Sequence, residues 1–299
     1  MNCLICGSNN ISSTDTVVSD FVMARIAPNE KENYKTKLCF CKECSFAFYE
    51  YRINSEEAQA LYRNYRDSEY QKTREKSECW YTEKINNLLN NDSTSINEQK
   101  RVIRKILNDN GITNIKSALD YGGNEGKTFF DEIGTENKYV FDISGVPTLK
   151  GVENISDFTK LSDYKFDFIM CNMLFEHLAD PMSLMGTLKD IGDDNTIYYI
   201  EVPSENPFVS GNKHSISKNL KLVFNPHFNF FKLVKYYFKK RKDPFMTMHE
   251  HINFYTADSM KKMIDLSGFT CIDIQENEED TAIGRQTVLS ALFKKAVGI

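Results

Sequence analysis

The chain has 299 residues, 41% hydrophobic and 26% charged, which suits one large domain plus a small one around a sizeable core. Its net charge of −5 argues against a general nucleic-acid binder, though not against a local basic patch. No run of about 18 apolar residues is present, so no transmembrane helix is expected. The opening MNCLICGSNN lacks the charged-then-apolar layout of a secretory signal, so a cytoplasmic location is expected.

Residues 1–50 are rich in cysteine and short of helical periodicity. Cys3-x-x-Cys6 and Cys41-x-x-Cys44 are two pairs of matched spacing in one short segment. Each such turn offers two thiolates from one knuckle, and two knuckles complete the tetrahedron that zinc prefers. A closed tetrahedron leaves no open position, so the expected metal is structural; sites of this kind contribute roughly 10–16 kcal/mol of apparent binding energy. Cys39 is a spare able to compete with Cys41. The bland alternative is a set of reduced, uncoordinated thiols. A redox pair is disfavoured because no βαβ pattern surrounds it. Cys79, Cys171 and Cys271 stand alone and read as core residues.

Residues 51–109 change character. SEEAQALYRNYRDSEYQKTREK and NEQKRVIRKILNDN place apolar positions at helical spacing, so a connector of two or three helices is expected, broken at LNNDSTS. From about residue 116 the pattern alternates. SALDYGG reads as a buried strand entering a glycine turn, KTFFDEI as a helix, and KYVFDIS as a second strand. FDFIMCNML is a third strand, LADPMSLMGTLKDI the helix after it, and NTIYYIEVP a fourth strand. Strands alternating with helices predict a doubly wound α/β sheet across 110–205. Residues 206–247 interrupt this rhythm. TADSMKKMIDLSGF then reads as a capped helix ending at Gly268, and FTCIDIQE and RQTVLSALFKK as closing strands, so 206–299 holds an insert and the end of the domain.

The turn Asp120-Tyr-Gly122-Gly123-Asn124-Glu125-Gly126 follows an apolar strand. Glycines there let the backbone approach a ligand closely. Asp142 ends the next strand, where a carboxylate accepts hydrogen bonds from ribose hydroxyls. Together these point to a nucleoside-containing cofactor. The rivals are a plain β–α turn and a nicotinamide site, whose usual G-x-G-x-x-G spacing differs from the adjacent glycines here. A non-enzymatic zinc-ribbon binding protein is a third reading.

ALDYGGNEGKTF resembles the first motif of class I S-adenosylmethionine-dependent methyltransferases, and FDFIMCNMLFEHLADP resembles their fourth-strand motif. The Leu-Ser-Gly-Phe helix end with two final strands resembles their C-terminal closure. With the N-terminal cysteine pairs, the chain is similar to zinc-containing methyltransferases related to sugar C-methyltransferases, which act on nucleotide-linked deoxysugars. The fold implied is a Rossmann-like methyltransferase sheet with a small N-terminal zinc ribbon and helical connector. The resemblance implies that Asp120, Gly122 and Gly126 hold the methionine part of S-adenosylmethionine, Asp142 its ribose, and Asp157 and Phe158 its adenine. Asn172 and Met173 then lie beside the sulfonium.

Methyl transfer is an in-line displacement, so the protein must align acceptor and methyl and take up the acceptor's proton. MHEHINFY resembles the Tyr-x-Glu-His motif of the sugar C-methyltransferases, with Met248 in place of the tyrosine. It implies His251 as base and Glu250 as its orienting or assisting carboxylate; a structural Glu-His pair is the alternative. His177, past the end of a parallel strand, ranks second, and His214 and His227 rank lower. PHFNFFKLVKYYFKKRKDPF concentrates Lys232, Lys235, Lys239, Lys240, Arg241 and Lys242 among aromatics. As a helix over 229–242 it suits a solvated charged face, a cover that binds acceptor phosphates, or contact with an anionic membrane surface. The expected acceptor is a small molecule, a nucleotide-linked sugar or a surface-glycan precursor.

Overall fold

The computed structural model describes residues 1–30, 34–78, 80–144, 146–209 and 246–296. Two sheets organise them. The smaller has four strands in the order β1 (Ile11–Val17), β2 (Lys35–Cys41), β3 (Ala47–Tyr49) and β9 (Asn253–Phe254). The larger has seven, in the order β10 (Phe269–Thr281), β11 (Gly284–Lys295), β8 (Ile197–Pro203), β7 (Phe168–Asn172), β4 (Ile115–Tyr121), β5 (Ile133–Phe141) and β6 (Glu153–Asn154). The five strands from β8 to β6 are parallel, and β11 and β10 close the edge antiparallel. The expected α/β architecture with a central parallel sheet is present.

Strand alternation explains why this sheet is buried on both faces. Leu119, Ile169, Cys171 and Ile200 point to one side, where they pack with Met185 and Leu188 of α6 (Pro181–Ile191) and Met260, Met263 and Ile264 of α7 (Ala257–Leu266). Ala118, Phe168, Met170 and Tyr199 point to the other, against Ile103, Ile106 and Leu107 of α5 (Ser93–Asp109). Asp180 caps α6 through Ser183 N, and Thr256 with Ser259 forms a capping box on α7. Gly268, at φ 79°, ends α7 as the sequence predicts.

Three elements differ from expectation. KTFFDEI forms turns rather than a helix: β5 already starts at Ile133, and the six residues after the left-handed Gly126 (φ 77°) are too few to offset helix nucleation. The connector holds four helices, namely α2 (Ser55–Tyr62), α3 (Ser68–Ser77), α4 (Glu83–Asn90) and α5. The first 50 residues also contain α1 (Asp20–Ile26), capped by Ser19.

The small sheet is sandwiched. Cys39, Phe46 and Phe48 join the core under α6 and α7. Leu38, Ala47 and Tyr49 face the other way, onto Phe21, Val22, Leu61 and Tyr70 of α1–α3 and onto Met248, Ile252 and Phe254. Arg52, just after β3, fastens this layer. Its guanidinium donates to the carbonyls of Ala179 (2.9 Å), Tyr49 (3.2 Å), Ile252 (3.2 Å) and Leu178, and to Asn253 Oδ1 (2.7 Å). Among the described residues no helix is long and apolar enough to cross a membrane. Arg52→Ala removes the donor and leaves several partly buried carbonyls without it, so a loss of about 2–3 kcal/mol is expected. Urea unfolding checks this, and an unchanged midpoint would contradict the role given to Arg52.

Candidate active site

The chain leaves β4 for β5 on one side and later returns to place β7 on the other, so a crevice opens at the carboxyl ends of β4 and β7. The glycine turn forms its floor. Gly122 (φ 80°) and Gly126 (φ 77°) are left-handed, and Asn124 (φ 51°) lies between them. A Cβ on Gly123 would stand 2.3 Å from Asp120 Cγ, and one on Gly122 would stand 3.0 Å from Leu174 Cδ2. Asp142 secures the turn: its carboxylate accepts from Asn124 N (2.9 Å) and Ser144 N (2.7 Å).

Asp120 is 1% exposed, and burial raises its pKa to about 7 against the pull of the Thr128 hydroxyl, which donates to Oδ2. Asp120 Oδ1 and both amide atoms of Asn172 are buried without a well-formed hydrogen bond among the described residues, and the Asn172 amide stands near enough to the Asp120 carboxyl to draw its pKa down. Orphans of this kind are costly in a finished core and point to a polar ligand. Met173 adopts φ 49°, an unfavourable conformation for its side chain, with its N–H held by Glu201 O at 2.9 Å. Asp157 caps the 3₁₀ turn Phe158–Asp163 through Thr159, and the half-exposed Phe158 ring lies 5.9 Å from Phe141 at the end of β5. The residues expected to touch a cofactor are thus spread along the ends of β4, β5 and β7.

A second cluster sits past the end of β7. His177, in the 3₁₀ turn Phe175–His177, has Nδ1 2.9 Å from Tyr62 Oη and 3.0 Å from Glu250 O. Its ring meets that of His251 edge-on at 4.9 Å. Burial and the neighbouring His251 charge push His177 down to about 4. His251 shifts the opposite way. Burial opposes its charge, but the Glu205 Oε2 hydrogen bond to Nδ1 (3.0 Å) and the nearby carboxylates of Glu176 and Glu250 raise it to about 9. Glu176 is 2% exposed, and burial lifts it to about 7.

Glu250 does not orient His251 through its carboxylate. Tyr70 Oη donates to one oxygen (2.6 Å) and Arg74 bonds the other (2.9 Å), which holds the buried group ionised and below its ordinary pKa. The carboxylate on His251 is Glu205, which sequence reasoning missed. Its only local signal is a position just beyond the carboxyl end of β8. Met248 is wholly buried in the core shared with Phe21 and Tyr49. His214, His227 and the basic aromatic stretch 229–242, with Lys232, Lys235, Lys239, Lys240, Arg241 and Lys242, lie outside the described residues.

The four cysteines of the matched pairs converge. Each pair closes the same turn: Gly7 N donates to Cys3 O (3.0 Å) and Ser45 N to Cys41 O (2.9 Å), with Gly7 at φ 70° and Ser45 at φ 59°. Cys3 Sγ lies 3.6 Å from Cys44 Sγ, Cys6 Sγ lies 3.5 Å from Cys41 Sγ, and all four sulfurs fall within 4.8 Å of one another. A tetrahedron with metal–sulfur bonds of about 2.3 Å has edges of about 3.8 Å, so this is a possible four-cysteine metal site. The separations are far too long for disulfides, whose bond is about 2.05 Å. Cys39 Sγ turns to Met1 Sδ (3.3 Å) and stands outside the set.

A family profile described as a methyltransferase domain matches residues 96–274, more than half of the chain. No curated protein matches. Among solved structures, the chain is similar to an S-adenosylmethionine-dependent methyltransferase from Clostridium acetobutylicum, at 12% identity over 69% of this chain and 94% of that one, with a TM-score of 0.40. It is similar to the 1,6-didemethyltoxoflavin-N1-methyltransferase of Burkholderia thailandensis, bound to S-adenosylhomocysteine, at 14% identity over 67% and 79%, TM-score 0.42. It is also similar to the magnesium protoporphyrin IX methyltransferase of Synechocystis, likewise bound to S-adenosylhomocysteine, at 10% identity over 70% and 86%, TM-score 0.40.

The raised pKa of Asp120 carries a sign. The folded chain holds that proton up to about pH 7 while an unfolded carboxyl releases it near 3.8, so this group's contribution to stability falls as pH rises between those values. Asp120→Asn removes the penalty. The ligand-free variant is expected to gain about 2–3 kcal/mol over the unmodified chain between about pH 5 and pH 8. Urea unfolding at the two pH values measures it, and an equal effect of the substitution at both would refute the assignment.

Proposed function

The chain belongs to the methyltransferase-domain family and is an S-adenosylmethionine-dependent methyltransferase of class I; from that premise we propose that it methylates a small polar acceptor, a nucleotide-linked sugar or surface-glycan precursor, with His251 as the base. The observation that carries this reading is the pairing of two features at one end of the sheet. One is a crevice with orphaned Asp120 and Asn172 atoms; the other is a cluster of two imidazoles beside it in sequence and fold. Neither the nicotinamide reading nor the non-enzymatic one has support.

Asp120, Gly122 and Gly126 would hold the methionine part of the cofactor, Asp142 its ribose, Asp157 and Phe158 its adenine, and Asn172 and Met173 its sulfonium end. When bound, the cofactor supplies an electrophilic methyl group with a neutral leaving group. The chain's own task is positioning and proton removal. His251 Nδ1 is engaged by Glu205, so in the neutral form of the ring Nε2 is left to take the acceptor's proton, and the raised pKa of about 9 makes turnover rise with pH as that form gains population. His177, neutral at physiological pH, stands against that ring without adding charge. Glu250 serves as an anchor: its carboxylate is tied to α3 and its carbonyl to His177. The sugar-type acceptor rests on the Glu250-His251 segment and the cysteine pairs shared with the sugar C-methyltransferases. The four-cysteine site would hold a structural zinc, and the working location is the cytoplasm.

Calorimetry with S-adenosylmethionine, against NADH as control, tests cofactor choice; binding of NADH alone would defeat the reading. Candidate nucleotide sugars incubated with labelled methyl donor and followed by mass spectrometry identify the acceptor. On that acceptor, His251→Ala is expected to keep cofactor affinity and lose turnover by about 10²- to 10⁴-fold. Undiminished turnover would remove His251 from the chemistry. Elemental analysis is expected to find about one zinc per chain, and a metal-free, fully folded preparation would reject the zinc assignment.

A further inference from the structure

His251 is faced by charge or potential charge from three directions. Glu205 approaches from the segment after β8, Glu176 and His177 from the 3₁₀ turn after β7, and Glu250 from its own segment. Tyr62 and Arg74 act one step removed, on His177 and on Glu250. Glu250 is spent on Tyr70 and Arg74, and Glu176 lies nearer His177, at 3.7 Å from its Nε2. Only Glu205, among the described residues, has a carboxylate oxygen within hydrogen-bond distance of the His251 ring.

Glu205 is itself placed by its neighbour. Asn206 is 3% exposed, and its amide donates to Ser45 O (2.9 Å) and Phe254 O (3.2 Å). Ser45 is the left-handed residue that closes the Cys41–Cys44 knuckle, and Phe254 belongs to β9, three residues beyond His251. One amide therefore ties the backbone at Glu205 to both the cysteine turn and the strand that carries His251. From this geometry we infer that Glu205 is the positioning residue that fixes which nitrogen of His251 works as base, and that Asn206 sets Glu205 from the cysteine knuckle. An imidazole whose Nδ1–H is donated to a carboxylate presents Nε2, and the proton gained there is balanced by the carboxylate. The inference rests on the base reading of His251, and it names a residue 46 positions away in the chain as what that reading requires.

The test is read without an acceptor. ¹⁵N-histidine labelling of the zinc-loaded full chain, with His251→Gln for assignment, follows the ring through a pH titration. Once titrated to its neutral form, His251 of the unmodified chain is expected to keep its proton on Nδ1 and leave Nε2 bare. Glu205→Gln is expected to lower its titration by more than about one pH unit. Asn206→Ala, which keeps the carboxylate, should lower it in the same direction. Retained S-adenosylhomocysteine affinity shows that each variant is folded. A neutral ring in the unmodified chain that carries its proton on Nε2 overturns the inference without any variant. So does an unmoved titration in Glu205→Gln, and an unmoved one in Asn206→Ala severs the link to the knuckle. The failure of the base reading looks different: His251→Ala would keep its turnover while the titrations stayed as expected.

Discussion

β9 is two residues long, and it belongs by sequence to the C-terminal part of the chain but by hydrogen bonding to the N-terminal sheet. Ala47 pairs with Phe254 and Phe48 with Asn253. Two such pairs are weak alone, yet they are locked from both sides. Arg52 reaches across to Ile252 O and Asn253 Oδ1, while the Asn253 amide donates to the carbonyls of Phe175 and Leu178 at 2.8 Å each. Ile252 N donates to Glu176 O at 2.8 Å. The segment from His249 to Ile252 therefore has little freedom, because its far end is a strand in one sheet and its middle is bonded to the 3₁₀ turn that follows a strand of the other. The approach of His251 to His177 follows from that join. A chain that lost the small sheet would keep its crevice and lose the geometry of its imidazoles.

The same join explains why neighbouring titratable groups are driven apart. His177 and His251 touch edge-on, so both rings charged at once would be unfavourable. Burial and the adjacent charge push His177 down, whereas Glu205 holds the proton on His251. The carboxylates separate in the same manner: burial lifts Glu176 against the pull of the nearby His251 charge, whereas Glu250, buried too, is drawn down by Arg74. Arg74 can hold its charge so deep because the carboxylates of Glu250 and Glu78 pair with it at 2.9 Å each, with Phe21, Trp80 and Tyr81 presenting rings at 5.1, 5.7 and 4.4 Å. Groups of like type are thus made unlike by their surroundings.

Which features were legible in the sequence follows from how far apart their parts lie. The glycine turn is local, and each requirement, a left-handed φ or a Cβ that would strike Asp120, is met within seven residues. The cysteine pairs read as well, because each knuckle is a five-residue turn. The helix end at Gly268 is also local. Glu205 was not legible, since nothing near it marks a carboxylate that will meet an imidazole 46 residues later. The partner of Glu250 was not legible for the same reason: adjacency in sequence suggests His251, while folding presents the carboxylate to Arg74 on α3 and leaves it to act on His251 through its charge alone. KTFFDEI misled through composition, because two buried phenylalanines in a turn look like one face of a helix.

Strand periodicity ties the core to the site. On the face covered by α5, each central strand is apolar over most of its length and polar at its carboxyl end: Ala118 then Asp120, Phe168 and Met170 then Asn172. Tyr199 is followed in the same way by Glu201, which pairs in register with Asn172. Glu201 Oε1 joins Asp120 Oδ1 and the Asn172 amide as buried atoms without a well-formed hydrogen bond among the described residues. One alternating pattern thus specifies hydrophobic packing beneath α5 and, a few ångströms further along, the row of polar atoms facing the crevice. A slip of β7 by one residue would bring Cys171 to the crevice and carry Asn172 into the opposite core, against α6 and α7. The hydrophobic core therefore does more than stabilise the fold, because the burial of Phe168 and Met170 is what forbids that slip and aims Asn172 at the ligand.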